Sequence, residues 1–398
     1  MLNFLYSLMS VELFAGGGGR LVAMGPVTPR MGLFAVALLV TVFVHLRSEE
    51  ACKWRSLSML LVAGFLGAHL PSVLIGLTNG ASPHTVFTDL SPILFWLIAP
   101  FFALVLKNES MVSRTATLIQ WSAVGMALVY LLICLALAAG VSSFDAFHGW
   151  ADTTGEISFR NHQMFFYKGF LYVGIGTVFW AARGGRWQGV WLTAMVVALT
   201  LTLTRGFVIA TSLASVLLLV TMGRQRALWV ALGVIALVVY AVWVYLPSLD
   251  AGYMLAQRGI SNSVRANDLS FMKEHFDMSA VVFGQGMGTY INGRLSIENS
   301  YLTIFWKMGL VALIFWLAPL GIALHYFRKI RKTAAAYSLA CAFFFGLVLV
   351  YVQTGSNPYL NNPIGLSFVL MAVFSLRTLA MSSAASSGPP RNSPVVIA

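Results

Sequence analysis

Three polar groups interrupt a chain that is otherwise mostly apolar, and each has chemistry available to it. Thr204-Arg205-Gly206 divides two apolar runs, and Arg205 is the one charged residue between Trp187 and Met222. An arginine costs up to about 3 kcal/mol at the centre of a bilayer and less at its edge. Arg205 is therefore either a snorkelling surface residue or a functional one. A tight turn between helices wants the glycine but has no need of the arginine, which favours function. Arg265 lies in Ser263–Phe276 (SVRANDLSFMKEHF), which opens on Ser/Asn cap residues and spaces Leu269, Met272 and Phe276 as a helix does. Because it precedes Leu269 by four, Arg265 shares the apolar face, where a guanidinium needs an anionic partner. Glu298 stands in Ile297-Glu298-Asn299-Ser300-Tyr301 at the start of an apolar run. A carboxylate there can serve a helix dipole, and Ser or Asn can cap the helix. Arginines bind phosphate oxygens through two parallel bonds and stay charged at any working pH, while a carboxylate can take the proton of an attacking hydroxyl.

These residues have to be positioned by elements suited to lipid. Of 398 residues, 59% are hydrophobic and 10% charged, with a mean hydropathy of +0.81, which excludes a soluble enzyme, a disordered scaffold and a secreted disulfide-rich module. Apolar stretches fall at 2–15, 31–46, 56–77, 90–106, 115–140, 163–182, 187–203, 206–222, 227–246, 300–324, 333–353 and 364–381. The expectation is an all-α polytopic membrane bundle of about twelve helices, near the ~20 residues a bilayer requires. The first stretch has no basic leader and no small-residue cleavage site, and reads as a retained span.

The charge is a topology signal. Alternate connections and the C-terminal region carry 15 of the 25 basic residues but only Glu49, Glu50 and Glu109 of the 13 acids, so the whole net charge of +12 lies on one side. That side is cytoplasmic by the positive-inside rule, with both termini, and no nucleic-acid partner is implied. Residues 1–381 then form a single membrane domain, with the long loop 247–299 outside, before the tenth helix, and 382–398 a disordered cytoplasmic tail.

Other candidates are weaker. Phe283-Gly284-Gln285-Gly286-Met287-Gly288 lacks dinucleotide-loop spacing and reads as a flexible turn that allows close backbone approach. Lys168 and Lys307 lie inside apolar runs, where each can snorkel or meet a carboxylate. The spans hold essentially no acid, Glu12 being the nearest exception. His162, in Arg160-Asn161-His162, reads first as a cap or interfacial residue. Cys52, Cys134 and Cys341 form no C-x-x-C pair. No Asp-x-Asp lies on the outer side, so neither metal nor cofactor is expected.

Taken in order, T-R-G (204–206), an arginine-bearing helix followed by F-G-x-G-x-G (265–288), E-N-S-Y-L with K-M-G-L (298–310) and N-P-Y-L-N-N-P-I-G (357–365) resemble the O-antigen ligase and O-antigen polymerase superfamily of membrane glycosyltransferases. The resemblance covers about 160–365. It implies transfer of an undecaprenyl-diphosphate-linked glycan at the periplasmic face of the bacterial inner membrane. By motif position it places Arg205, Arg265 and Arg258 on the diphosphate and Glu298 near the acceptor. Ligases typically carry His at the Glu298 position, so the acid looks more like a polymerase. Displacing a diphosphate from an anomeric carbon builds negative charge that arginines can hold, with Glu298 as base and inversion at the sugar as the outcome.

The expected activity is therefore a metal-independent polymerase of O-antigen or exopolysaccharide repeat units, with Glu298, Arg205 and Arg265 catalytic and Arg258, Asn299, Tyr301, His162 and Arg160 binding substrate. The alternative is the ligase, which moves the glycan to lipid A-core, and a secondary transporter is the reading from another class. Expected partners are the lipid-linked donor, a glycan or lipid A-core acceptor, membrane lipid and a chain-length regulator.

Overall fold

A computed structural model of the chain describes residues 2–17, 19, 28–47, 51–160, 164–202, 204–224, 251–332, 336–360 and 362–385. The elements are α1 (Leu2–Ala15), α2 (Pro29–Arg47), α3 (Ala51–Thr78), α4 (Pro83–Leu94), a 3-10 turn (Phe95–Ile98), α5 (Ala99–Val105), α6 (Glu109–Ala138) and α7 (Phe144–Thr154). A hairpin of β1 (Ile157–Arg160) and β2 (Met164–Tyr167) follows, then α8 (Phe170–Arg183), α9 (Gln188–Leu201) and α10 (Arg205–Thr221). The chain continues with α11 (Ala251–His275), a 3-10 turn (Met278–Val281), α12 (Ser300–Lys329), α13 (Tyr337–Thr354) and α14 (Pro363–Ala385). Among the described residues, six helical runs are long and apolar enough to cross a bilayer: Leu57–Thr78, Pro83–Val105, α6, α12, α13 and α14. Five shorter helices are equally apolar, and the chain is a multi-pass membrane protein of helical architecture. The stretch 227–246 and residues 386–398 of the tail lie outside the described residues, while residues 382–385, expected in the tail, continue α14 as its last turn.

The centre of the bundle is α8, packed against α6, α9, α10 and α13, with α14 against α12, α13 and α6. Nearly every side chain of α8 is buried, which is why it reads as apolar all round. Small residues set the approach. A Cβ on Gly176 would lie 2.1 Å from that of Ala123 in α6, so van der Waals contact of this closeness needs glycine.

Two local readings change. The sixth apolar stretch does not start as helix at 163. Residues 157–160 and 164–167 pair antiparallel, with Ile157 opposite Tyr167 and Phe159 opposite Phe165, and the helix begins at Phe170. Alternation drives this: Phe165 is buried against Tyr130 and Phe147, with ring centroids 4.8 and 4.7 Å away, while the Tyr130 hydroxyl donates to the Phe165 carbonyl at 3.0 Å. Lys168 consequently sits in the turn before α8 and donates its ammonium to the Gly155 carbonyl at 2.6 Å. The loop ahead of the hairpin is also ordered as α7, capped by the Ser143 hydroxyl and ended by Gly155 at φ 61°.

The glycine loop 283–288 is the second change. Gly309, at φ 75°, breaks α12 and frees backbone groups on either side of the break. The loop takes them up: Gln285 N–H donates to the Trp306 carbonyl (2.8 Å), Gly286 N–H to that of Lys307 (3.0 Å), and Val311 N–H to that of Val282 (3.2 Å). On its other side Met287 N–H donates to the Ser72 carbonyl of α3 at 2.9 Å. The close approach is therefore real, to α3 and α12, and hydrogen bonds on both sides fix the turn.

Candidate active site

Asn299 starts α12. Its Oδ1 accepts the Leu302 N–H at 3.2 Å in the N-cap geometry, which leaves Glu298 one residue outside the helix and free of capping. Glu298 turns instead to α11, where Arg265 donates Nε–H and a terminal N–H to the same oxygen, Oε2, at 3.0 and 2.5 Å. Both side chains remain about half exposed, at 53% and 54%. The anionic partner expected for Arg265 is thus Glu298. Asp268 of α11 is buried, 4% exposed, and Leu269 lies open at 44%. The face of α11 that turns inward is offset from the one the apolar spacing suggests. Asp268 pairs with Arg294 from the Ile291–Arg294 turn, and Asn292 adds a longer bond to it at 3.5 Å.

These two ion pairs flank a cleft of about 380 Å³ lined by Arg265, Asp268 and Leu269 of α11, Arg294, Glu298, Leu302 of α12, and Gly355 just past α13. Asn299 lines it as well as capping α12. Tyr301 faces the neighbouring helix: its hydroxyl donates to the Tyr351 carbonyl at 2.6 Å and ties the start of α12 to the end of α13.

Arg205 is the first residue of α10 and is exposed. Among the described residues no hydrogen bond or ion pair holds its guanidinium. The next residue explains the glycine of the T-R-G turn. A Cβ on Gly206 would lie 2.5 Å from Ser356 Oγ and 3.1 Å from Gln353 Nε2, so the start of α10 packs directly on the turn that carries Gly355. Arg205 and the Arg265–Glu298 cleft accordingly belong to one end of the bundle. The hairpin bearing Arg160 approaches the same helix start, with Phe166 and Phe207 rings 6.1 Å apart. The Arg160 and Arg258 side chains and all of His162 lie outside the described residues.

Of the two alternatives open to Lys307, the structure shows the carboxylate, and it supplies a partner the sequence did not name. Lys307 Nζ, with its side chain fully buried, donates to both carboxylate oxygens of Asp89 at 2.8 and 2.6 Å. Asp89 also accepts the Gly288 N–H at 2.7 Å. Asp89 lies within the Pro83–Val105 run, so that span does carry an acid, and the pair pins the glycine loop between α4 and α12. A second buried pair joins Glu12 and Arg30 at 2.9 Å, with Arg30 also donating to the Gly17 carbonyl at 2.6 Å. Sequence separation hides both the Asp89–Lys307 and the Asp268–Arg294 pairs. The single available signal is that Asp268 lies one turn beyond Arg265. Among the described residues, no three of His, Cys, Asp and Glu gather closely enough to hold a metal ion.

No protein-family model matches the chain. It is 26% identical over 399 residues to an O-antigen polymerase of Shigella flexneri, a likeness that covers 96% of this chain and 97% of that protein. An alignment running through nearly the whole of both chains supports membership of the O-antigen polymerase and ligase superfamily.

Proposed function

We propose that the protein is a glycosyltransferase that polymerises repeat units carried on undecaprenyl diphosphate, building O-antigen or a related exopolysaccharide at the periplasmic face of the inner membrane. The observation that carries this reading is the half-exposed Arg265–Glu298 pair at the rim of a cleft, with the unpaired Arg205 on the adjoining helix start. The likeness to a protein named O-antigen polymerase supports the same activity, and lipid-linked oligosaccharide as the substrate.

The pairing has a mechanistic reading. Exposed ion pairs contribute about 0–1 kcal/mol, whereas an arginine forms stronger, parallel charge-assisted bonds with phosphate oxygens. A diphosphate arriving at the cleft therefore competes successfully for Arg265, and Arg205 supplies a second cation. Losing Arg265 leaves Glu298 as a free carboxylate within reach of the same cleft. There it accepts the proton of the acceptor hydroxyl as that oxygen attacks the anomeric carbon. The sugar–phosphate bond breaks, and the diphosphate departs with its developing charge held by the two arginines. Direct attack inverts the anomeric centre, and the arginines do the electrostatic work without a metal. The acceptor is a second lipid-linked glycan, the helical surfaces accommodate the isoprenoid chain, and a chain-length regulator would act on the extending product.

The test is the product. Purified protein given only lipid-linked repeat units should lengthen the glycan on the isoprenoid. Absence of extension, with transfer only when lipid A-core is supplied, would overturn polymerisation in favour of ligation.

A further inference from the structure

Gln353, in the last turn of α13, is fully buried, and among the described residues neither its Oε1 nor its Nε2 has a hydrogen-bond partner. Buried polar groups of this kind are rare and call for a reason, because an unpaired amide forfeits its solvation without recompense. Its surroundings supply one. The amide lies against the first turn of α10: a Cβ on Gly206 would be 3.1 Å from Nε2 and 3.2 Å from Oε1. That helix begins without a side-chain cap, since the Thr204 hydroxyl donates to the Thr202 carbonyl at 3.2 Å instead of accepting from the first turn. An uncapped helix start presents N–H groups and the positive end of the dipole, which favour an anion. Arg205, at the first position, adds a full positive charge. On the opposite side the Gln353 carbonyl accepts from Ser356 Oγ (3.2 Å) and Asn357 N–H (3.0 Å), in the turn whose Gly355 lines the cleft.

We propose that Gln353 is a binding residue of an anion site at the start of α10, where its Nε2–H joins the Arg205 guanidinium and the Arg205 and Gly206 N–H groups in holding a phosphate oxygen. The ligand class is a phosphate ester, here the diphosphate of the lipid-linked donor, so the proposal rests on the polymerase reading and adds a residue to it. Because neither amide atom is bonded to another described residue, rotating the side chain toward the anion breaks none of the described hydrogen bonds and satisfies a donor that is otherwise stranded. Gly206 is what makes this reach feasible, since any side chain there would occupy the space between the amide and the helix start. Gln353 is uncharged and lies against the helix start that Arg205 opens, so it contributes to holding the donor and leaves the proton transfer at Glu298 untouched.

The experiment uses the full chain in detergent, as wild type, Gln353→Leu and Gln353→Glu. It measures binding of an isoprenyl diphosphate without sugar, and KM and kcat for the lipid-linked repeat unit. Leu has a similar size and removes the stranded amide, so folded yield should match or exceed wild type. Isoprenyl diphosphate affinity should fall roughly tenfold, the equivalent of one hydrogen bond to a charged group, with KM raised and kcat near wild type. Glu puts a carboxylate beside the phosphate and should bind more weakly than Leu. Wild-type binding and KM in both variants, with polymer still formed, would overturn the role of Gln353 while leaving the polymerase intact. No diphosphate binding and no polymer from wild type would overturn both. A competition arm separates the sources of phosphate. If phosphatidylglycerol displaces isoprenyl diphosphate from wild type but not from Gln353→Leu, the site takes a bilayer headgroup and the donor assignment is wrong.

Discussion

Removing the charge of Asp89 should cost more stability than any other single isosteric change near the site. Asp89→Asn retains the shape and a carbonyl acceptor for the Gly288 N–H, but leaves the Lys307 ammonium fully buried with no counter-charge. In the native chain that ammonium makes hydrogen bonds of 2.8 and 2.6 Å to the carboxylate. Breaking a buried pair from one side typically costs about 3–5 kcal/mol, against a net stability of about 5–15 kcal/mol for an ordinary domain. The same physics predicts rescue. In Asp89→Asn/Lys307→Met no charge is left to desolvate, and most of the loss should return, because apolar replacement of a whole pair is often neutral. A double-mutant cycle on unfolding in mixed detergent, followed by circular dichroism, should therefore give a coupling of at least about 2 kcal/mol. Asp89→Asn within about 1 kcal/mol of wild type, or a double variant no better than the singles, would refute the clamp and with it the account of how loop 283–288 is held.

Other outcomes follow from the same geometry. Arg265→Lys and Arg205→Lys keep the charge but lose the planar fork, so donor binding, read by isoprenyl diphosphate titration, should weaken markedly despite the conservative appearance. Asn299→Ala should lower stability by about 1 kcal/mol through loss of the α12 cap, with Asn299→Asp close to wild type; thermal unfolding in detergent distinguishes the two.

Much of the candidate site is conspicuous in the sequence through its residue types. Arg205, Arg265 and Glu298 are charges placed where an apolar sequence gives no reason for them, and the structure brings the last two into contact across 33 residues of sequence. Periodicity alone could not say which face of α11 turns inward. Leu269 faces the open cleft while Asp268 is buried, because an ion pair with Arg294 satisfies the acid there. Apolar runs also concealed polar detail. Strands of four residues are too short for alternation to separate them from a helix start, so β2 (Met164–Tyr167) was absorbed into the sixth span, 163–182, and β1 was read as loop. Gln353 disappeared into the end of the apolar stretch 333–353, and Asp89 meets Lys307 across 218 residues, a separation that spacing rules do not reach. The overall helical membrane architecture was readable from composition, since lipid as solvent leaves few alternatives.

The account stands most directly on Glu298. Asn299 provides the helix cap, so Glu298→Gln alters neither capping nor side-chain shape; it removes the proton acceptor together with the negative charge that pairs with Arg265. The decisive measurement is chain extension on lipid-linked repeat units by purified Glu298→Gln protein, made beside isoprenyl diphosphate binding by the same preparation. Turnover should fall by about 10²- to 10⁴-fold, the usual loss of a general base, with diphosphate binding retained. Extension at the wild-type rate with normal binding would contradict the assignment and leave Glu298 only as the partner of Arg265.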